Sequence, residues 1–392
     1  MRHRASVLDA WVALVLALTS CAQAHTRDDD ASADPATIDA RADTSTFDAG
    51  PRDTGLRDSE PQDAGDDPFV ADAWALPDPS VFEISVPYLA LFERGRTYSA
   101  PSHLSVYALD PDPRLVFEQD GAPNNSTSLA RGIAAPRHGG WFLTLPDYMP
   151  AVRWTVNGRH WPLPCWAGIG GSVALMQDAA LLAGRDGLIG FCPYALDGEI
   201  GTRGSGQFFD VAIDEERRVA WGIQYGVDES PTSELLVSIP LDDVTAVRRF
   251  PVYEARHSLD VAADGTVWVG AFDEAARAAF VAHYDRDGLE LSRVPLSTDA
   301  SSVRVHPATG DVWAADTGLV RIEPDGTVHR IVTIPGGPTD VVPDHATRGV
   351  WVAYDGYVVD YVELIDVDGN AVHRIPGRSP DSLVRQLAIA VP

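Results

Sequence analysis

Short turn sequences divide most of this 392-residue chain into intervals of nearly constant length. They fall at Asp110 to Pro113, Asn157-Gly158, Asp197-Gly198, Asp242-Asp243, Asp287-Gly288, Asp325-Gly326 and Asp368-Gly369, with steps of 47, 40, 45, 45, 38 and 43 residues. Alternating apolar runs flank them, which is the pattern of successive β-hairpins, and the Asp-Gly and Asn-Gly pairs predict type I′ turns with positive φ at both central positions. A unit of this size cannot bury its apolar face alone and must stack on copies of itself. Seven recurrences therefore predict an all-β fold, a β-propeller of seven four-stranded blades over residues 81–392. Six blades result instead if the first unit is a cap.

A second ladder runs in step with the first. Trp141, Leu182, Trp221, Trp268, Trp313 and Trp351 fall on the second strand of successive units. Large rings at this period either line a channel or pack between blades, and packing is their commoner use. The C-terminal run Gln386 to Val391 reads as a first strand with nothing after it, whereas the first unit offers only second, third and fourth strands near 86–93, 103–109 and 114–118. The last strand is thus expected to complete blade one and close the ring, leaving no open sheet edge between the chain ends.

The units that carry Asp260 to Trp268 and Ser302 to Arg330, the latter with Val312-Trp313-Ala314-Ala315-Asp316 and Leu319 to Gly326, resemble NHL-type and streptogramin-lyase-like propeller repeats. The resemblance covers residues 130–385 unevenly and is one of repeats. Streptogramin lyases place Glu and His side chains in the channel in a Glu-x-His arrangement. This chain has only Glu254-Ala255-Arg256-His257, with different spacing, which puts lyase chemistry in doubt.

In such a ring the first strand of each blade faces the axis. Aligned from their starts, these strands place Gly132, Ser172, Asp210, Asp260, Arg304, Asp340 and Gln386 at equivalent positions, with His257 and His306 close by. Three carboxylates and a guanidinium at one opening suit a divalent cation such as calcium, which takes six to eight oxygens, or acid and base catalysis. Alternatively each Asp accepts backbone N–H groups and Arg304 neutralises the ring. Asp285-Arg286-Asp287-Gly288 and Asp366 to Asn370 look like calcium loops but lack the remaining EF-hand ligands, so hairpin turns explain them better.

The N-terminus reads as an export signal. Arg2 and Arg4 precede an apolar run, Val7 to Thr19, too short to span a membrane. Leu18-Thr19-Ser20-Cys21 then resembles the lipobox of bacterial lipoproteins. That resemblance implies a signal peptide at 1–20, a lipid on Cys21, and a cell-envelope location, with Ala22 matching the pattern of outer-membrane sorting. Residues 21–80, rich in Asp, Ala and Pro, are expected to be a disordered acidic tether. A flexible chain of that length reaches roughly 45 Å.

The formal charge is −27, and all 30 basic residues are arginine, which argues against a nucleic-acid partner. Cys165 and Cys192 form an even pair once Cys21 carries lipid, so a disulfide is expected in an oxidising compartment. Two functions fit these features. One is a surface-anchored, non-catalytic propeller that binds a protein, glycan or small ligand. The other is a channel enzyme, a lyase or a metal-dependent hydrolase of lactones or esters, using Asp210, Asp260, Asp340, Arg304 and His257.

Overall fold

A computed structural model describes residues 82–95, 103–120, 132–136, 139–145, 151–163, 172–176, 179–183, 189–193, 201–202, 207–225, 234–243, 246–252, 254–333, 337–354, 361–378 and 382–392. All fall in a unit running Gly65–Pro392. The export signal, Cys21, the tether, Cys165 and the Asp197-Gly198 turn lie outside the described residues, and so does the side chain of Cys192. The expected disulfide is therefore not described.

Among the described residues the regular elements are strands, grouped in seven four-stranded antiparallel sheets. In chain order the inner strands of blades 2 to 7 are Ile133–Ala134, Ser172–Leu175, Gln207–Asp214, Glu254–Val261, Ser302–Val305 and Pro338–Pro343. Each inner strand touches that of the next blade, and the series returns on itself through Ser382–Ala390 of blade 1. The result is a closed β-propeller.

Blade 1 is assembled from both ends of the fold. Ser382–Ala390 pairs antiparallel with Tyr88–Gly95, from Tyr88 opposite Ala390 to Gly95 opposite Ser382, with a bulge at Phe92/Glu93. His103–Ala108 and Arg114–Asp120 complete the sheet. This is the closure expected from the isolated last strand.

The ladder of large residues holds the blades together. Trp141, Leu182, Trp221, Trp268, Trp313 and Trp351 are all buried on second strands. Trp221 packs among Leu259 and Val261 of the next blade, Trp268 among Val303 and Val305, Trp313 against Val341, and Trp351 against Leu387 and Ile389. Blade faces are apolar on both sides and meet their neighbours through these rings, whereas the outermost strand of blade 1 is exposed almost throughout.

The hairpin turns differ from the type I′ expectation. At Gly158, Gly265, Gly288, Gly326 and Gly369 only the glycine has positive φ, between 76° and 89°. Its N–H donates to the carbonyl three residues back, as Gly288 does to Asp285 at 3.1 Å, and the outer pair closes one residue later, Asp285 N–H to Leu289 O at 2.9 Å. These are type I turns followed by a glycine bulge. The carboxylates inside them are engaged locally: Asp285 Oδ1 accepts the Asp287 and Leu289 N–H groups, both at 2.8 Å, and Asp366 Oδ1 those of Asp368 and Asn370. An aspartate that caps its own turn favours a right-handed residue after it, so the Asp-Gly pair sits at the end of the turn and not at its centre.

Candidate functional site

The inner strand of a blade is an edge strand. Its axis-facing N–H groups have no ladder partner and need acceptors from side chains. Asp210 on blade 4 takes two of them: the Val211 N–H donates to Oδ1 at 3.0 Å and the Leu259 N–H of blade 5 to Oδ2 at 3.1 Å. Ser172 Oγ of blade 3 adds a bond to Oδ1 at 2.6 Å. Asp340 on blade 7 repeats the arrangement with the Val341 N–H at 2.9 Å, the Leu387 N–H of blade 1 at 2.9 Å and Ser302 Oγ of blade 6 at 2.7 Å.

The pattern continues with other residue types. Ser258 Oγ on blade 5 accepts the Val303 N–H of blade 6 at 2.8 Å, and Gln386 Oε1 on blade 1 accepts the Gly132 N–H of blade 2 at 2.8 Å. Asp260 accepts its own Val261 N–H at 3.0 Å and the Val305 N–H of blade 6 at 2.9 Å. These bonds form a girdle around the axis, each link passing from one blade to its neighbour.

The seven aligned positions do not share one level. Cross-strand register sets Asp260 opposite Trp268 and Arg304 opposite Trp313, but the residues opposite Trp221 and Trp351 are Ala212 and Val342. Asp210 and Asp340 therefore sit two residues earlier, level with Ser258 and Ser302. The cause is bulging within the inner strands, at Phe208/Val211, Ala255/Leu259 and Pro338/Asp340, which breaks a count made from strand starts. The expected single ring of three carboxylates and a guanidinium is two layers: Ser172, Asp210, Ser258, Ser302, Asp340 and Gln386 above, Asp260 and Arg304 below.

Arg304 joins the layers. Its Nη1 donates to Ser258 Oγ at 2.9 Å and to the Val303 carbonyl at 2.7 Å, and lies 3.9 Å from Asp210 Oδ2. Nη2 is 3.5 Å from Asp340 Oδ1. Its guanidinium thus meets carboxylates of blades 4 and 7 from a base on blade 6, and crosses the channel. Asp210, Arg304 and Asp340 are buried at 1%, 8% and 5% exposure, whereas Asp260 is only partly covered.

Beyond Arg304 the channel widens into a cavity of about 190 Å³. Asp260 and Arg304 line its inner end, and Val305, Val342, Leu387, Ala388 and Ile389 are among its walls, with His345 also facing it. His257 lies on the inner strand of blade 5, next to the bulge, and its side chain is outside the described residues. His306 is structural: Nε2 donates to the carbonyls of Asp344 at 3.0 Å and Thr347 at 2.8 Å, while Nδ1 accepts the Ala308 N–H. It pins blade 6 to the first turn of blade 7.

Oxygens that accept two or three N–H and O–H donors present few lone pairs to a cation. Among the described residues no group of three or more His, Cys, Asp or Glu side chains is arranged to hold a metal ion. Ser258 and Ser302 were not apparent as site residues from sequence. Counting back from each tryptophan, instead of forward from each strand start, would have placed them level with the aspartates.

No protein-family model matches the sequence, and no curated protein matches it. Solved structures match its shape. Dihydro-heme d1 dehydrogenase NirN superposes with a TM-score of 0.53 at 14% identity over 78% of this chain, which spans just under two thirds, 66%, of that protein. A putative 6-phosphogluconolactonase from Bacteroides fragilis superposes with a TM-score of 0.54 at 13% identity, covering 80% of this chain and 99% of its own. At such identities the likeness is one of fold: these are β-propeller-like proteins.

Proposed function

We propose that this protein is an envelope-anchored propeller that captures a small ligand in the channel cavity without transforming it. The observation that carries the reading is the engagement of the channel carboxylates. Asp210 accepts three hydrogen bonds and lies beside Arg304, and Asp340 accepts four, one of them from Arg304, so neither is free to move a proton or hold a metal. What remains accessible is a pocket lined mainly by apolar residues together with Asp260, Arg304 and His345, with nearly as much polar as apolar surface, which can take a small ligand carrying both kinds of group.

The anchor belongs to the same proposal. The lipobox-like Leu18 to Cys21 and the acidic stretch 21–80 support an outer-membrane lipoprotein whose propeller is held on a tether, and the repeats around Trp268 and Trp313 support kinship with NHL-type propellers. A second reading, hydrolysis of a lactone or ester in the same channel, draws on Asp260, which is partly covered and shares the cavity with His345.

The test is thermal unfolding of the full chain carrying Cys21→Ser, against a library of small organic ligands and against calcium, magnesium, manganese and zinc, each compared with EDTA. A native-state ligand at 100 times its Kd stabilises by about 2.7 kcal/mol. Shifts from organic ligands with no turnover are expected. A shift from a divalent ion that disappears in Asp210→Ala and Asp260→Ala, or turnover of lactone substrates, would replace binding with catalysis.

A further inference from the structure

The geometry points to the chemical class of ligand and to the face it enters by: an organic ammonium on a short aliphatic body, arriving from the end of the channel opposite the upper polar layer. This inference rests on the channel-binding reading above.

The direction follows from Arg304. Its guanidinium bridges toward Asp210 and Asp340 from opposite sides and closes the channel at that level. The cavity lies wholly beyond it, among residues that follow the two layers in their strands: Val261 and Ala263, Val305 and Pro307, Val342 and Pro343, Leu387 to Ile389. A ligand therefore enters past the first hairpin turns of the blades.

The class follows from what each group at the inner end can still do. Among the described residues the two layers hold three carboxylates and one guanidinium, an excess of two negative charges, and the whole chain is strongly acidic. Arg304 is nearly buried and its Nη1 and Nη2 already serve Ser258, the Val303 carbonyl and Asp340. Asp260 differs from the other two aspartates in three respects. It is partly covered and not buried, it faces the cavity, and it accepts only the two backbone N–H groups, without the seryl bond that Ser172 gives Asp210 and Ser302 gives Asp340. The residue on blade 4 level with Ser172 and Ser302 is Asp210 itself, and on blade 5 Asp260 lies one layer further in, where Ala212 of blade 4 has no hydroxyl to offer.

A carboxylate with spare lone pairs at the end of a pocket of mixed surface favours a donor-rich cation whose short carbon chain lies against Val305, Leu387 and Ile389. An anion would meet the net negative charge instead, and three of the five Arg304 N–H groups already serve Ser258, the Val303 carbonyl and Asp340. Charge-assisted N–H to carboxylate bonds are about twice as strong as neutral ones, which separates an amine from an alcohol of the same shape.

The experiment compares n-butylammonium, n-butanol and n-butyrate at neutral pH by titration calorimetry on the full chain carrying Cys21→Ser. Methyl chemical shifts of Val305, Leu387 and Ile389 locate any binding. The expected result is that butylammonium binds best, moves those methyl signals, and weakens at least about 10-fold in Asp260→Asn, about 1.4 kcal/mol. If butanol or butyrate binds as well as the amine and moves the same methyls, the ammonium inference is overturned while the channel reading stands. If no probe moves those methyls in the wild-type chain, both fall. The readout on wild-type protein keeps the test valid should Asp260→Asn fail to fold.

Discussion

Asp340 on blade 7 accepts the Leu387 N–H of the closing strand at 2.9 Å. The same carboxylate also holds Ser302 of blade 6 and lies beside Arg304, so one side chain ties three successive blades at the seam where the chain ends meet. Asp340→Ala leaves a buried N–H and a buried guanidinium short of partners, and a loss of about 3 kcal/mol in urea unfolding is expected. Asp260→Ala, at a partly covered position with fewer bonds, is expected to cost less. Equal losses would mean that the girdle does not carry the seam.

Arg304→Met should destabilise by about 3 kcal/mol, because it leaves two buried carboxylates without their shared cation. Combining it with Asp340→Asn removes one of those charges, so the double variant is expected to lose less than the sum of the single changes. Strict additivity in a double-mutant cycle would show that the 3.5 Å approach of Arg304 to Asp340 carries no coupling.

Two turn glycines separate backbone strain from packing. Gly326 has φ +88° and nothing within 4 Å of an added Cβ, so Gly326→Ala should cost only the left-handed penalty, about 1 kcal/mol. Gly288 has φ +76° and an added Cβ would lie 2.2 Å from the Phe250 ring, so that ring must move as well. Gly288→Ala should cost roughly 1 to 3 kcal/mol more. Chemical denaturation of the two variants side by side tests the difference, and a larger loss at Gly326 would contradict it.

His283 stacks on Trp268 with ring centroids 4.0 Å apart, and its Nε2 is buried without a hydrogen-bond partner. Burial pushes its pKa below the usual histidine value, opposed by the nearby Asp264 carboxylate. Unfolded chains therefore take up this proton first as pH falls, and protonation favours unfolding. The contribution is fully present above the unfolded value of about 6.5 and is lost progressively as pH falls from there through the lower folded value. Wild type should lose more stability between about pH 7.5 and pH 5 than His283→Phe does. Parallel losses in urea unfolding would remove His283 from the pH response.

The parts legible in the sequence were those repeated in it. Tryptophans recur on the second strands of five blades because each blade must pack on the next, and Gly-containing turns recur because several outer hairpins need one residue with positive φ, so both leave a period. Blade closure was legible from the unpaired last strand. The level of Asp260 relative to Asp210 was not, because the bulges that shift it, near Phe208 and near Ala255, have no distinctive residues. The turn type is not legible for a related reason: Asp285 and Asp366 cap their own turns, and a pair of letters such as Asp-Gly does not show whether it lies at the centre or the end of the turn.

The seam in blade 1 also sets the order in which the molecule can be made. Tyr88 and Ala390 are direct partners although nearly the whole domain separates them in sequence. During synthesis, blades 2 to 7 can stack in sequence order, but the strand Tyr88–Gly95 waits with an unpaired edge until the last residues have emerged. Contacts of such long range form slowly. A chain whose last strand closes its first blade cannot finish folding until that strand has been made. A terminus shortened by even the nine residues of Ser382–Ala390 would leave that edge permanently open.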